Sequence, residues 1–438
     1  MNITKGWRWA VGLCERYFKA PCKSDVLLAQ LPEHLSAMDR RRCRYGLLGV
    51  LRHLRLLEWV VGVFLSRPAR PRLRAILYLG ALDLWEAEAS RAPVLIDHAV
   101  TQAGMLVSQR EAGLVNAVLR RVAERLYQLR SEAVLSMADR ALRYSHPDWL
   151  VERWTAQFGA EATTALLKWN QEPSPVFVRR TLWKPEAEVF DPMEFGLATT
   201  AWPGFFRFCG SDWKRVEALL KEGRAYVQDP ATRRAPELLD VRPGEVVLDV
   251  CAAPGGKSLQ LLEFMAGSNE GLLVVLDRPG VRLRRLQRNV STGKRLGAYY
   301  EELPGVHVLA GDARELEGVF FKDRGLPQVF DAVLLDAPCS NTGVLRRRPD
   351  AKWRLRSESI GITAELQRTL LARAAALVRP GGRLVYSTCS IEAEENSGVV
   401  EAFLDVEGQS FCLESSQMSY PWISGCDGGG AFLFVRSA

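Results

Sequence analysis

No stretch of the 438 residues approaches the ~18 consecutive apolar residues that a membrane-spanning helix needs, so a transmembrane protein is not expected. The opening "MNITKGWRWAVGLCERYFKAP" has no apolar core of the secretory kind, so no signal peptide is expected either. The nine cysteines form no C-x-x-C pair and follow no framework spacing, and the five histidines do not cluster near any cysteine. That argues against a zinc site and against a disulfide scaffold, and places the chain in the reducing cytoplasm with free thiols. Internal repeats and low-complexity tracts are also missing.

What is present is size, apolar content and an uneven charge. A chain of 438 residues, 47% of them hydrophobic, is long enough for two or three packed domains. The net charge is +7, yet residues 1–130 carry 21 Lys+Arg against 11 Asp+Glu, a surplus of 10 that leaves −3 for the remainder. "DRRRCR" (39–44) and "RPARPRLR" (67–74) concentrate the excess. A solvated helical surface and a footprint for a phosphate backbone both fit this pattern.

Residues 1–135 read as an all-α domain. "LVNAVLRRVAERLYQL" places apolar side chains at 114, 115, 118, 119, 122 and 126, a helical period. Residues 140–235 mix a helix after His146-Pro147 with proline-bearing stretches, and read as a small α+β connector. From 236 to 438 short apolar runs alternate with helical stretches: 245–250, 271–277, 305–310, 330–336 and 383–389. This alternation predicts an α/β domain with a doubly wound, mostly parallel sheet, whose ligands bind beyond the carboxyl ends of the strands. Pro380-Gly381-Gly382 is expected to end the helix before the last run.

The unusual polar residues fall at those strand ends. "VLDVCAAPGGKS" (247–258) is a strand, a turn of small residues and a helix start. Gly255 and Gly256 allow close approach of a ligand to the backbone, and the helix start offers free N–H groups. A P-loop would need glycine where Cys251 stands, which leaves a nucleotide hydrolase as a weak rival. Asp277 closes the second run and Asp312 follows the third; each could cap a helix, but with the glycine turn they suit an adenosine-bearing cofactor.

Two thiols also stand at strand ends. Cys339, in "LLDAPCSNTGVLRRRPDAKWR", follows Asp336, and Cys389 lies in "LVYSTCSIEAEEN". A lone cysteine is usually an apolar filler. Two on one sheet edge beside a carboxylate point to nucleophilic catalysis. Cytosine C5 is such a case: a thiolate adding to C6 makes C5 nucleophilic, after which C5 must lose its proton and the thiol must leave. One thiol attacks, the other assists elimination, and the acid holds the N3 edge of the ring. Lys257 and the Arg346–Arg348 run are candidate sources of a field favouring the thiolate, and Trp353 with its basic neighbours is a candidate RNA-stacking loop.

Together, "VLDVCAAPGGKS", "DAPCSNTGVLRRRPDAKWR" and "YSTCSIEAEEN" resemble the signature motifs of the RNA cytosine-5 methyltransferases of the Sun (RsmB) type. "EGRAYVQDPAT" (222–232) is similar to that family's lead-in segment. "DRRRCRYGLLGVLR" and "AGLVNAVLRRVAERL" resemble the NusB-type helical RNA-binding domain of its bacterial members. The resemblance implies a Rossmann-like fold, S-adenosylmethionine as cofactor, and methylation of a cytosine in 16S ribosomal RNA, naked or partly assembled; a monomer is expected. It implies that Cys389 attacks C6 and that Cys339 serves product release, with Asp336 and Lys257 in the catalytic set. It assigns the cofactor loop to Cys251, Ala252, Ala253, Pro254, Gly255, Gly256 and Lys257, with Asp277, Arg282, Asp312 and Asp336 as further contacts. The chain departs from the family at "VRRTL" (178–182), where an Arg-Val-Asn-Thr-type stretch is usual, and at Ser258, where threonine is common. A non-catalytic RNA-binding assembly factor is the rival from another class.

Overall fold

The computed structural model describes residues 4–131, 137–181, 190–297 and 303–438. The expected domain boundary at 135 and Leu182 of the "VRRTL" stretch lie outside them. Contacts along the chain group it into two units, one of residues 1–173 with 345–357, the other of 174–344 with 358–438.

The first unit is helical, as its periodicity predicts. In helix Gln109–Ser131, Val115, Val118, Leu119, Val122 and Leu126 are buried; Leu114 is the exception, 40% exposed. This stripe joins Trp7, Leu47 and Leu79 in one core. Ser36 caps helix Ala37–Arg52 by accepting from the Asp39 backbone N–H at 3.1 Å, and Pro71 opens helix Pro71–Glu86. Several arginines of the basic clusters are engaged locally. Arg42 pairs with Asp83 at 2.6 Å, Arg70 with Glu111 at 2.7 Å and Arg72 with Glu15 at 2.9 Å. Arg41 and Arg44 remain exposed.

Segment 345–357 corrects one expectation. Lys352 is buried and donates to the Arg52 carbonyl at 2.9 Å, and Trp353 donates to the Leu51 carbonyl at 2.6 Å while packing on the helical core. Arg346 lies 4.0 Å over the Trp169 ring and pairs with Glu172 at 2.8 Å. Lys352 and Trp353 therefore anchor the segment in the first unit. The aliphatic stem of lysine and the body of tryptophan bury well when their polar ends find carbonyls.

The second unit opens with an antiparallel sheet of β1 (Phe177–Arg180), β2 (Leu197–Thr199), β3 (Phe205–Phe208) and β4 (Ala225–Val227), in the order β2-β3-β1-β4. Helix Trp213–Lys221 covers it, with Val216 and Leu219 against Val178 and Leu197. Arg179 of β1 makes a two-pronged, buried ion pair with Glu263 at 2.6 and 2.9 Å. This departure from the family's usual stretch is thus a structural brace. Arg179→Ala strands the Glu263 charge and is expected to lower stability by about 3–5 kcal/mol, measured by urea denaturation.

Seven further strands form one sheet: β5 (Val246–Val250), β6 (Leu272–Asp277), β7 (Gly305–Ala310), β8 (Phe330–Asp336), β9 (Val378–Thr388), β10 (Phe411–Ser419) and β11 (Gly429–Arg436). The order is β10-β11-β9-β8-β5-β6-β7, parallel from β9 to β7 and antiparallel at β11 and β10. Alternate residues face opposite cores: Leu248, Val274 and Val333 toward Leu370 and Leu371, and Val247, Val275 and Leu334 toward Leu261 and Leu286. The sheet is therefore doubly wound, as expected. Pro380-Gly381-Gly382 does not end a helix; helix Ser357–Ala376 has already stopped, and these residues lie inside β9 where its pairing with β8 slips between Phe330 and Ala332. An irregular strand entry tolerates proline, which cannot donate to the ladder. Among the described residues no helix is long and apolar enough to cross a membrane.

Candidate active site

Strand order reverses at β5, which lies between β6 and β8, and the crevice of such a sheet opens beyond the carboxyl ends there. The turn after β5 is the small-residue loop. Cys251 adopts φ 62°, a left-handed conformation uncommon for a side-chain-bearing residue. Gly255 adopts φ 102°, and a Cβ there would lie 2.8 Å from Leu286 Cδ1, so glycine is required. Helix Gly256–Phe264 starts at once and carries Lys257. Helix Val281–Gly297 braces the loop: Arg282 donates to the Ala253 carbonyl, and Asn289 donates to the Pro254 carbonyl at 2.7 Å.

Asp277, the last residue of β6, accepts from the backbone N–H groups of Ala253 and Arg278, each at 2.8 Å. Its carboxylate keeps acceptor capacity for ligand hydroxyls. Asp312 caps a short 3₁₀ turn by accepting from Arg314 N–H at 3.0 Å. The Arg314 guanidinium first, and Arg278 with it, hold its carboxyl far below the usual range. Beneath the loop, Asp249 is fully buried and accepts from Ser258 Oγ at 2.5 Å, while its Oδ1 has no partner among the described residues. Burial pushes its pKa up to about 7, against the bond from Ser258. Burial also pushes the Cys251 thiol up to about 12, which makes it inert.

The two thiols that sequence places fifty residues apart meet here. Cys339 Sγ and Cys389 Sγ are 3.1 Å apart. Cys389 follows β9 directly and Cys339 follows β8, so parallel pairing of those strands juxtaposes them. Asn341, at φ 66°, donates to the Cys339 carbonyl at 2.7 Å and accepts from Cys389 Sγ at 3.4 Å. The hydrogen bond with Cys389, then burial and the Glu395 charge, raise the Cys339 pKa well above its ordinary value. Cys339 thus keeps its proton beside Cys389.

Asp336 closes β8 beside them. It pairs with Lys257 Nζ at 2.6 Å and accepts from Ser387 Oγ at 3.0 Å. Burial works against the Lys257 ammonium, but Asp336, and after it the Cys389 sulfur, outweigh this and raise its pKa. Lys257 is therefore the cation in the field of Cys389. Arg346 and Arg348, the other candidates, are bonded within the first unit, to Glu172 and Asp25.

A small open pocket lies against Cys389, lined by Thr232, Arg234, Lys257, Asp427 and Gly429 among others. Gly429 lets β11 lie close against the nucleophile's strand; a Cβ there would be 2.3 Å from the Thr388 carbonyl oxygen and 3.3 Å from Cys389 Cα. Gly429→Ala is expected to cost about 1–3 kcal/mol of stability by overpacking, visible as a lower urea midpoint. Sequence reading sees "DGGGAFLFV" only as a loose version of the family's closing strand, and it gives Asp249 and Glu395 no role. The signals were three consecutive glycines, an acid inside an apolar strand, and acids directly after the second cysteine motif.

Residues 236–421 match the family described as 16S rRNA methyltransferase RsmB/F, and residues 16–124 match the NusB family. The chain is 31% identical over 425 residues to the ribosomal RNA small subunit methyltransferase B of Enterobacter sp. (strain 638), covering 94% of this chain and 93% of that protein. The chain belongs to the RsmB/F methyltransferase family. The crystal structure of PH0851 superposes with a TM-score of 0.78 at 25% identity over 98% of both chains. A methyltransferase homologue from Pyrococcus horikoshii does so with 0.56 at 25% identity, over 69% of this chain and all of that one. S-adenosylmethionine is the cofactor of this RsmB/F methyltransferase. The small-residue turn, the Asp277 and Asp312 carboxylates and the orphaned Asp249 Oδ1 fit such a group, which combines hydroxyls, ring nitrogens and an ammonium. Among the described residues no cluster of His, Cys, Asp and Glu is arranged to hold a metal.

Proposed function

We propose that this RsmB/F-family methyltransferase methylates C5 of a cytosine in small-subunit ribosomal RNA, in the cytoplasm and as a monomer, through a covalent bond between Cys389 and C6. The observation that carries this reading is the 3.1 Å pair of sulfurs beside the Lys257–Asp336 ion pair, with Cys389 and Lys257 lining an open pocket. The target base is splayed out of its stack to reach that pocket.

Bound S-adenosylmethionine supplies an electrophilic methyl group, held by the 251–257 loop with Asp277, Asp312 and the Arg282-braced turn. Cys389 adds to C6 as its thiolate, and the C5–C6 electron pair shifts toward C5 and N3. Asp336 accepts from the exocyclic amine and holds the N3 edge. C5 takes the methyl group. Cys339 then assists loss of the C5 proton, the Cys389–C6 bond breaks, and the ring regains its double bond. Each turnover exchanges one C5 hydrogen for one methyl and releases one proton.

Transfer of tritiated methyl from S-adenosylmethionine to ribosomal RNA, with bisulfite mapping of the product, tests the reading. One protected cytosine in the small-subunit RNA is expected. Label at any atom other than cytosine C5 removes it, and no transfer at all removes it in favour of a non-catalytic assembly factor. Calorimetry with ATP against S-adenosylmethionine separates it from a nucleotide hydrolase.

A further inference from the structure

β8 and β9 pair in parallel up to Asp336 opposite Ser387, and Ala337 N–H still donates to the Ser387 carbonyl at 2.9 Å. Past that point the ladder no longer fixes the two chains, yet both sulfurs lie past it. Loops leaving adjacent strands diverge unless a side chain ties them.

One carboxylate does so, beside Asn341 and the Gly343 N–H bond to the Cys389 carbonyl. Glu395 has no solvent exposure. It accepts from the Ser340 backbone N–H at 2.8 Å, from Gln367 Nε2 at 3.1 Å, and from the hydroxyls of Ser340 and Ser390 through two short hydrogen bonds. Ser340 and Ser390 are the residues directly after Cys339 and Cys389, and their Oγ atoms are 3.1 Å apart. Asn396 completes the tie on the β9 side, donating to the Ser390 carbonyl at 3.0 Å and accepting from Thr388 Oγ1 at 2.8 Å. A buried carboxylate persists only where donors satisfy its oxygens, and charge-assisted bonds of this kind are strong and directional.

We propose that Glu395 is a positioning residue of the reaction: through Ser340 and Ser390 it fastens both cysteine-bearing loops to one anchor and sets the separation of the two sulfurs. This rests on the functional reading above for the roles of the sulfurs, not for their spacing. The carboxylate touches neither sulfur directly. Its charge adds to the causes that keep the proton on Cys339, so the same anchor orders the pair in space and in protonation.

The spacing can be read without RNA or cofactor. Diamide takes the two thiol hydrogens and is reduced to its hydrazine as a disulfide forms, so closure of Cys339 to Cys389 reports their proximity. In the wild-type protein this pair is expected to close before any other thiols, followed by peptide mass spectrometry. In Glu395→Ala closure slows by roughly tenfold or more, because the effective concentration of two groups falls steeply with misplacement. Glu395→Gln keeps an acceptor for the Ser340 N–H and falls between the two. It also lowers kcat for methyl transfer while leaving KM for RNA unchanged. If Glu395→Ala does not fold, Glu395→Gln carries the test. Wild-type closure in the folded variants overturns the proposal, even where their thermal stability has fallen. A wild-type protein that forms the disulfide but methylates no cytosine removes the functional reading and leaves the spacing result intact.

Discussion

Replacing Cys389 with alanine is expected to reduce methyl transfer by about 10⁴-fold or more, the scale on which losing a covalent nucleophile acts, or about 5 kcal/mol of barrier. Cytosine C5 is nucleophilic only while C6 carries a substituent, and no other side chain at the site can supply one. Cys251 is held as an inert thiol by burial and the neighbouring carboxylates. Cys339 keeps its proton in the field of Cys389 and Glu395. The fold should tolerate the change, because Cys389 is half-buried and packs no core cluster. Cofactor binding by calorimetry should therefore stay within a few-fold of wild type while tritium transfer to RNA disappears and no covalent protein–RNA species forms. Full activity in Cys389→Ala would move the nucleophile elsewhere and end the assignment of roles.

The interior strands were legible because parallel strands covered on both faces are nearly unbroken apolar runs. "EVVLDV", "GLLVVLD" and "FDAVLLD" needed no periodicity argument, and β5, β6 and β8 fall on them within a residue. β10 was missed for the opposite reason. "FCLESSQMS" lies at the sheet edge with Cys412, Leu413 and Glu414 exposed, so nothing in its composition marks a strand. Its order comes from β11, its partner in the sheet. The site divides in the same way. A thiol or acid at a strand end is visible in one dimension, because the end of an apolar run is visible. Which ends become neighbours depends on strand order, and only the β8–β9 pairing brings Ser340 and Ser390 to one carboxylate. Within the basic loop after Cys339, composition cannot separate the exposed Arg348 from the buried Lys352, whose side chain donates to the Arg52 carbonyl.

Cys339→Ala is expected to behave differently from Cys389→Ala: the nucleophile remains, and the step that frees it is lost. Cys339 follows β8, and its sulfur lies 3.1 Å from the attacking sulfur. That places it beside the C6 adduct, where it can assist removal of the C5 proton and departure of Cys389. Without it, addition and methylation proceed once and elimination stalls. Wild-type protein should show no RNA-shifted band on a denaturing gel after incubation with S-adenosylmethionine and ribosomal RNA. Cys339→Ala should accumulate one band approaching one equivalent of protein, with turnover lowered by about 10²-fold or more, as when a positioned acid–base group is removed. The double variant Cys339→Ala/Cys389→Ala decides the origin of that band, because a shift that survives loss of Cys389 cannot be the proposed adduct. If Cys339→Ala turns over at the wild-type rate with no trapped species, elimination relies on another base, and the 3.1 Å contact only tunes the protonation of the pair.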